Sequence, residues 1–141
     1  MPSRDIKDCC TELQEKWPKL KAAFEKKHPG WKMILTCTHR APEEQLALYK
    51  KGRKLIEGQW VADGDGSKIV THRDGYKLIS KHNEYPARAF DVALINPQGK
   101  AAWDNAEWGA LPELCKKLNL ESGLTWSKLR DGPHVEVIKH S

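Results

Sequence analysis

The chain has 141 residues, of which 39% are hydrophobic, and it contains six tryptophans. This length and composition suit one domain with an ordinary core and exclude a disordered chain. With 24 Lys and Arg against 19 Asp and Glu, the formal charge is +5 and the isoelectric point is near 9.0. That balance favours polyanionic partners but does not distinguish nucleic acids from cell-envelope polymers.

The first residues lead directly into polar sequence, without the hydrophobic region of a signal peptide. No apolar run is long enough for a membrane span. We therefore expect the protein to accumulate in the cytoplasm.

The cysteines are Cys9, Cys10, Cys37 and Cys115, and they form no C-x-x-C motif. A cytoplasmic protein keeps its thiols reduced. We expect free thiols rather than disulfides or metal ligands.

The first predicted helix starts at Thr11. Thr11 and Gln14 are spaced like a capping box, and an apolar stripe recurs at three- and four-residue steps. The stripe consists of Cys10, Leu13, Trp17, Leu20 and Phe24. It predicts a core-facing surface. Pro18 is expected to kink or restart the helix, and His28-Pro29-Gly30 to end it.

A strand is predicted from Lys32 to Thr38, and Pro42 opens a second helix. Arg40 then lies at the junction of strand and helix, where protein scaffolds often present functional side chains. For Arg40 taken alone, the simpler interpretation is a surface residue paired with Glu43 or Glu44.

The segment between Gly52 and Ser80 has the weakest pattern. Residues 62–67 predict a turn, because Asp63-Gly64-Asp65-Gly66 lacks the later ligands of a calcium loop. Lys68-Ile69-Val70-Thr71 predicts a short strand.

Further strands are predicted in the C-terminal half. Ala89 to Ile95 alternates in polarity, which places Asp91 on the face opposite Phe90. The same alternation places His134 and Glu136 on one face of a last strand, so neighbouring strands would bring Asp91 and His134 together. Between these strands, a helical region is predicted from Trp103 to Leu118.

His82, Asp91 and His134 are candidate ligands of a catalytic zinc ion. Imidazoles and a carboxylate suit tetrahedral zinc, and three protein ligands leave the fourth position to water. Asp131 lies three residues before His134, and Pro133 stiffens the connection between them. Its carboxylate would reach that water, which makes Asp131 the candidate general base.

Two motifs carry a family resemblance: Ser80-Lys81-His82 with Ala89-Phe90-Asp91, and Asp131-Gly132-Pro133-His134-Val135-Glu136. They resemble the S-x-H … A-x-D … D/E-x-x-H pattern of the zinc D,D-carboxypeptidase and L-alanyl-D-glutamate peptidase superfamily, and within it the single-domain phage endolysins. The stretch from Thr36 to Gln45 resembles the Arg-containing segment ahead of those motifs. In one departure, His82 and Asp91 are nine positions apart, whereas many members have a shorter, glycine-containing link.

The resemblance implies one Zn²⁺ ion per chain, held by His82, Asp91 and His134, with Asp131 and Arg40 as catalytic residues. Arg40 would bind a substrate carboxylate or the developing oxyanion. The candidates for supporting the site or lining a substrate groove are Ser80, Gln45, Trp126 and Glu136. We expect an α+β fold with a small antiparallel sheet, helices packed mainly on one side, and the zinc at the sheet edge.

The implied activity is hydrolysis of the L-alanyl-D-glutamate bond of peptidoglycan stem peptides by a phage or prophage endolysin. Residues 1–141 would form a single zinc peptidase domain without a separate wall-binding domain. It would act as a monomer, bind no nucleic acid, insert into no membrane, and wait in the host cytoplasm for a separate permeabilising protein. The alternatives are a D-Ala-D-Ala carboxypeptidase of the same superfamily and a non-catalytic basic module that binds wall polymers or nucleic acid.

Overall fold

The computed structural model describes residues 2–64, 66, 68–102, 106–123 and 133–138. The strands in these ranges are β1 (Lys32–Cys37), β2 (Arg53–Ile56), β3 (Gln59–Ala62), β4 (Ala89–Ile95), β5 (Leu120–Ser122) and β6 (His134–Val137). The α-helices are α1 (Thr11–Lys27), α2 (Pro42–Lys50) and α3 (Leu111–Lys117). Short 3-10 turns occur at Ile6–Asp8, Lys81–Asn83 and Ala106–Ala110.

The main sheet has four antiparallel strands in the order β1, β4, β6, β5. The central strand β4 is buried along most of its length because it pairs on both edges. A register shift between Leu35 and Cys37 interrupts the pairing of β1 with β4 and places Cys37 opposite Asp91. Such irregularities bend a strand and redirect its last side chains.

Helices α1 and α3 contact each other and the sheet, and together they enclose the core. Leu13, Leu20 and Phe24 of α1 are fully buried, as the apolar stripe predicts. Trp17 meets Phe90 edge to face, with ring centroids 5.4 Å apart, which is a favourable aromatic geometry. The predicted α+β fold with a small antiparallel sheet is confirmed.

Helix α1 begins at Thr11, as predicted, but the predicted capping box is wrong. Cys10 is the capping residue and supplies no side-chain hydrogen bond, because Thr11 already lies inside the helix. The Gln14 side chain instead donates to the Cys9 carbonyl at 2.9 Å. The helix continues through Pro18 without a restart and ends before His28, whose amide donates to the Phe24 carbonyl.

The segment between Gly52 and Ser80 differs from its prediction. Residues 68–71 form no strand, and the pairing occurs earlier, between β2 and β3. Glu57 and Gly58 connect these strands with positive φ angles of 48° and 79°. A two-residue turn of this kind matches the twist of a hairpin, so Gly58 was the available sequence signal.

The helical region predicted for 103–118 is present from Ala106 onward, as a 3-10 turn followed by α3, and residues 103–105 lie outside the described chain. Strand β5 was not predicted. Within the described ranges, every helix is too short or too polar to cross a bilayer.

Candidate metal site

Three neighbouring strands place Cys37, Asp91 and His134 in one row across the sheet. Asp91 on β4 pairs with Cys37 on β1 and, on its other side, with His134 at the start of β6. Directly opposed residues project from the same face of a sheet. The predicted meeting of Asp91 and His134 on adjacent strands is therefore present in the structure.

His82 reaches this row from a loop. The Ser80 hydroxyl accepts a hydrogen bond from the His82 amide at 3.2 Å, and it caps the 3-10 turn that carries the histidine. The Arg40 amide donates to the His82 carbonyl at 2.8 Å, while the Asn83 side chain donates to the Arg40 carbonyl at 2.8 Å. These bonds fix the loop of His82 to the strand-to-helix junction that carries Arg40.

The three predicted ligands converge through one atom each. His82 Nε2 lies 3.2 Å from both Asp91 Oδ1 and His134 Nδ1, and Asp91 Oδ1 lies 3.4 Å from His134 Nδ1. Ligands at zinc bond lengths in a tetrahedral site are separated by about 3.3 Å. The donor triangle therefore has the dimensions of one face of a zinc tetrahedron, and its atoms are the types that zinc accepts.

Each imidazole is held with its metal-facing nitrogen toward this triangle. His82 Nδ1 lies 2.8 Å from the Thr38 carbonyl oxygen, which can only accept, so Nδ1 carries a hydrogen. His134 Nε2 lies 2.7 Å from Glu136 Oε1, so Nε2 donates to that carboxylate. A carbonyl or carboxylate behind each ligand histidine is the usual arrangement in metal sites. When both rings are neutral, the remaining nitrogens, His82 Nε2 and His134 Nδ1, therefore direct their lone pairs toward Asp91.

Glu136 is in turn held by Lys81, whose Nζ donates to Glu136 Oε2 at 2.5 Å and to the Val137 carbonyl at 2.9 Å. Burial raises the pKa of Glu136, but the hydrogen bonds from His134 and Lys81 outweigh it and lower the pKa to about 2. Glu136 is thus ionised at neutral pH and accepts the hydrogen bond from the outer nitrogen of His134.

The charges of the site shift the pKa of each ligand. Burial opposes protonation of His82, but hydrogen bonds to Asp91 and Cys37 and the Asp91 charge raise its pKa from 6.5 to about 10. Burial also opposes protonation of His134, yet Asp91 and Glu136 raise its pKa. For Asp91, burial is outweighed by both histidines, which hold its pKa well below the usual range. In the metal-free protein, a proton on a neighbouring histidine thus stabilises the Asp91 carboxylate. A bound metal cation would take over that role.

Arg40 is part of this site, and its side chain is only 11% exposed. The interpretation of a surface residue paired with Glu43 or Glu44 is therefore wrong. Arg40 Nη2 lies 3.4 Å from Asp91 Oδ2, the carboxylate oxygen that faces away from the histidines, and Nη1 donates to Gln45 Oε1 at 2.7 Å. Its buried Nε has no hydrogen-bond partner among the described residues.

Cys37 is the residue that sequence reasoning missed. All four cysteines are free thiols, as predicted, but Cys37 Sγ lies within 4.8 Å of ligand atoms of His82 and Asp91. Its nearest contacts are His82 Nδ1 at 3.8 Å and Arg40 Nη2 at 3.5 Å. Cys37 thus lies behind the His82 ring, whereas His134 completes the close triangle. The only available signal was its position at the end of a strand that leads to Arg40.

Two predicted site residues, Asp131 and Trp126, lie outside the described residues. The structure brings together the others, namely His82, Asp91, His134, Arg40, Gln45, Ser80 and Glu136. They form a cluster at one end of the β4–β6 pair, in which Gln45, Ser80, His82 and His134 are buried.

Comparison with solved structures shows that this fold is already known. The crystal structure of Serratia marcescens L-Ala D-Glu endopeptidase ChiX matches with a TM-score of 0.57, covering 98% of this chain and 89% of that chain at 16% identity. No protein-family profile matches the sequence. The chain thus shares the fold of that structure, and in this fold a His-Asp-His donor set forms where β4 and β6 meet the loop of His82.

A closer sequence relative defines the family. Peptidoglycan L-alanyl-D-glutamate endopeptidase CwlK of Bacillus subtilis (strain 168) is 32% identical over 128 residues, which cover 84% of this chain and 67% of that protein. The chain belongs to the peptidoglycan L-alanyl-D-glutamate endopeptidase family. This confirms the family inferred from the sequence motifs, while a phage origin stays a prediction.

Proposed function

We propose that the protein is a zinc-dependent endopeptidase that hydrolyses the L-alanyl-D-glutamate bond of peptidoglycan stem peptides. The observation that carries this proposal is the donor triangle of His82 Nε2, Asp91 Oδ1 and His134 Nδ1, with edges of 3.2 to 3.4 Å. Family membership supports the choice of bond, because the relative CwlK is named for that cleavage.

His82, Asp91 and His134 would hold the zinc ion. When bound, zinc supplies a Lewis acid that polarises a carbonyl group and activates water. Asp91 Oδ1 faces the histidines and Oδ2 faces Arg40. The carboxylate would therefore contribute only Oδ1 to the metal. Glu136 and the Thr38 carbonyl keep both rings in the required orientation.

Asp131 is proposed as the general base and Arg40 as the electrophilic partner. The Asp131 carboxylate would take a proton from the water that attacks the alanyl carbonyl, and it would return that proton to the glutamate nitrogen as the C–N bond breaks. The Nε–H of Arg40 has no partner among the described residues. Because that nitrogen is buried, the guanidinium would stabilise the negative charge that develops on the alanyl oxygen through its positive charge.

The biological role that we propose is that of a phage or prophage endolysin. Residues 1–141 would act as a monomeric catalytic domain on the wall, after a separate permeabilising protein admits them from the host cytoplasm. The formal charge of +5 would favour contact with anionic wall polymers.

The test combines zinc content with analysis of the products from purified stem peptides. Native protein is expected to hold one zinc per chain and to separate L-Ala from D-Glu, whereas His134→Ala should lose both properties. The control is Gln98→Ala, which removes an exposed side chain from the turn after β4. Asp131→Ala should keep the zinc and lose the cleavage. Release of terminal D-Ala with an intact L-Ala–D-Glu bond would overturn the assignment in favour of a carboxypeptidase.

A further inference from the structure

Residues 71–79, here called the Asp74 loop, are tied to the candidate site by one buried side chain. Gln45 accepts from Arg40 Nη1 at 2.7 Å and donates to the Arg73 carbonyl at 2.9 Å. The same amide lies 3.4 Å from Thr71 Oγ1. A single glutamine, 1% exposed, therefore separates the Arg73 backbone from the guanidinium of Arg40.

The shape of the Asp74 loop is fixed by its own hydrogen bonds. Asp74 Oδ1 accepts from three successive backbone amides, those of Tyr76, Lys77 and Leu78, at 2.9 to 3.0 Å. Gly75 has a φ of +90°, and a Cβ there would lie 2.8 Å from the Pro42 carbonyl oxygen at the start of α2. Only glycine fits this close approach without strain, so the loop backbone packs directly against the start of α2.

The Arg73 side chain points along this loop toward the motif that carries His82. Its Nη1 donates to the Ile79 carbonyl at 2.9 Å, and Ile79 directly precedes Ser80. Arg73 is thus anchored through its backbone to the Arg40 pair and through its guanidinium to the entrance of the His82 turn. Its side chain is exposed.

Arg73 has no carboxylate partner among the described residues. The acid nearest to it in sequence, Asp74, is already engaged by backbone amides. Arg40, by comparison, is occupied by Asp91 and Gln45. An exposed, oriented guanidinium beside a candidate active site is suited to bidentate recognition of a carboxylate.

We propose that Arg73, positioned by the Asp74 loop, forms a carboxylate subsite for the residue that follows the scissile bond. This inference rests on the proposed function. The D-glutamyl residue of a stem peptide is linked onward through one of its two carboxyl groups, so the other is a free carboxylate or an amide. Arg73 would favour the free carboxylate over the neutral amide, because only the carboxylate carries a negative charge that pairs with the guanidinium.

The test uses two synthetic stem peptides that differ only in this group, one with the free carboxylate and one with the amide. Steady-state kcat and KM are measured for zinc-loaded native protein, Arg73→Gln, Arg73→Lys and the control Lys77→Gln, which removes a neighbouring charge of the same loop. Native protein should prefer the free acid in kcat/KM by about tenfold or more, the effect of one charge-assisted hydrogen bond. Arg73→Gln should abolish that preference by raising KM for the acid alone.

Arg73→Lys should keep part of the preference, since charge persists while the planar fork is lost, and Lys77→Gln should keep all of it. An equal loss for both peptides in Arg73→Gln would show a purely structural role and overturn the subsite. So would native protein that cleaves both peptides equally well. If the native protein cleaves neither peptide at L-Ala–D-Glu, it is the proposed function that fails, and the subsite fails with it.

Discussion

Asp91 and His134 are direct cross-strand partners on β4 and β6, and the facing atoms Oδ1 and Nδ1 lie 3.4 Å apart. Two of the three candidate ligands are therefore built into the central strands of the sheet. Their backbones are held by the same hydrogen bonds as the core, so this half of the site is preorganised. Only His82 depends on a loop, and Arg40 and Asn83 fasten that loop to the end of β1.

Replacing Asp91 with asparagine should weaken zinc binding and also destabilise the metal-free protein. The carboxylate compensates His82 and Arg40 inside a site where it is only 16% exposed. Removing one partner of a buried charged pair lowers the free energy of unfolding by about 3 to 5 kcal/mol. We expect about 3 kcal/mol here, because His82 can lose its proton when Asp91 is replaced. Urea unfolding of metal-free protein measures the cost. Asp63→Asn, at an exposed position, is the control, and equal stability of the two variants would contradict the prediction.

Zinc binding near neutral pH should release protons. The pKa of His82 is raised to about 10, so metal-free protein carries a proton on His82 that zinc must displace, and the pKa of His134 is shifted in the same direction. Below pH 10, affinity should fall as pH falls, by about tenfold per pH unit for each proton displaced. Asp91 releases no proton when zinc binds, because its lowered pKa keeps the carboxylate ionised in the metal-free protein. Calorimetry in buffers of different ionisation enthalpy counts the protons, and a count of zero would refute this charge arrangement.

Glu136→Gln should lower zinc affinity by about 10- to 100-fold without removing a ligand, the usual effect of losing a carboxylate behind a metal-bound histidine. The carboxylate holds His134 Nε2 at 2.7 Å and is itself held by Lys81. Competition with a chelator of known affinity measures the change. Glu113→Gln serves as the control, since the Glu113 side chain is 63% exposed. Unchanged affinity in Glu136→Gln would mean that the ring is oriented by other contacts.

Gln45→Met should reduce kcat by about tenfold while leaving one zinc per chain. Methionine fills similar space but cannot bond to Arg40 or to the Arg73 carbonyl. The free energy of unfolding should fall by about 1 to 3 kcal/mol, the cost of leaving buried polar groups unpaired. Zinc content, kcat and urea unfolding are compared with Gln98→Met, a substitution in an exposed turn. Loss of zinc in Gln45→Met would place the glutamine in metal binding rather than in positioning Arg40.

Local sequence signals predicted much of the fold. The start of α1 at Thr11, its end before His28, the opening of α2 at Pro42 and strand β4 all agree with the structure. These features depend on neighbours in the chain, such as the periodicity of apolar side chains or the fixed φ of proline. The β2–β3 hairpin was missed because its faces show no clear alternation, since it stands outside the main sheet.

The residues of the candidate site were named from motifs, but their meeting was decided by contacts between distant parts of the chain. The register of β4 against β1 and β6 sets Cys37, Asp91 and His134 in one row. A one-residue slip would turn Asp91 to the other face. The same packing places Cys37 behind His82. It also links Arg40 to Arg73 through Gln45. The sequence thus determined which metal-ligating side chains exist. The tertiary structure determined which of their atoms face one another, because strand register and loop docking depend on the free energy of the whole core rather than of any one segment.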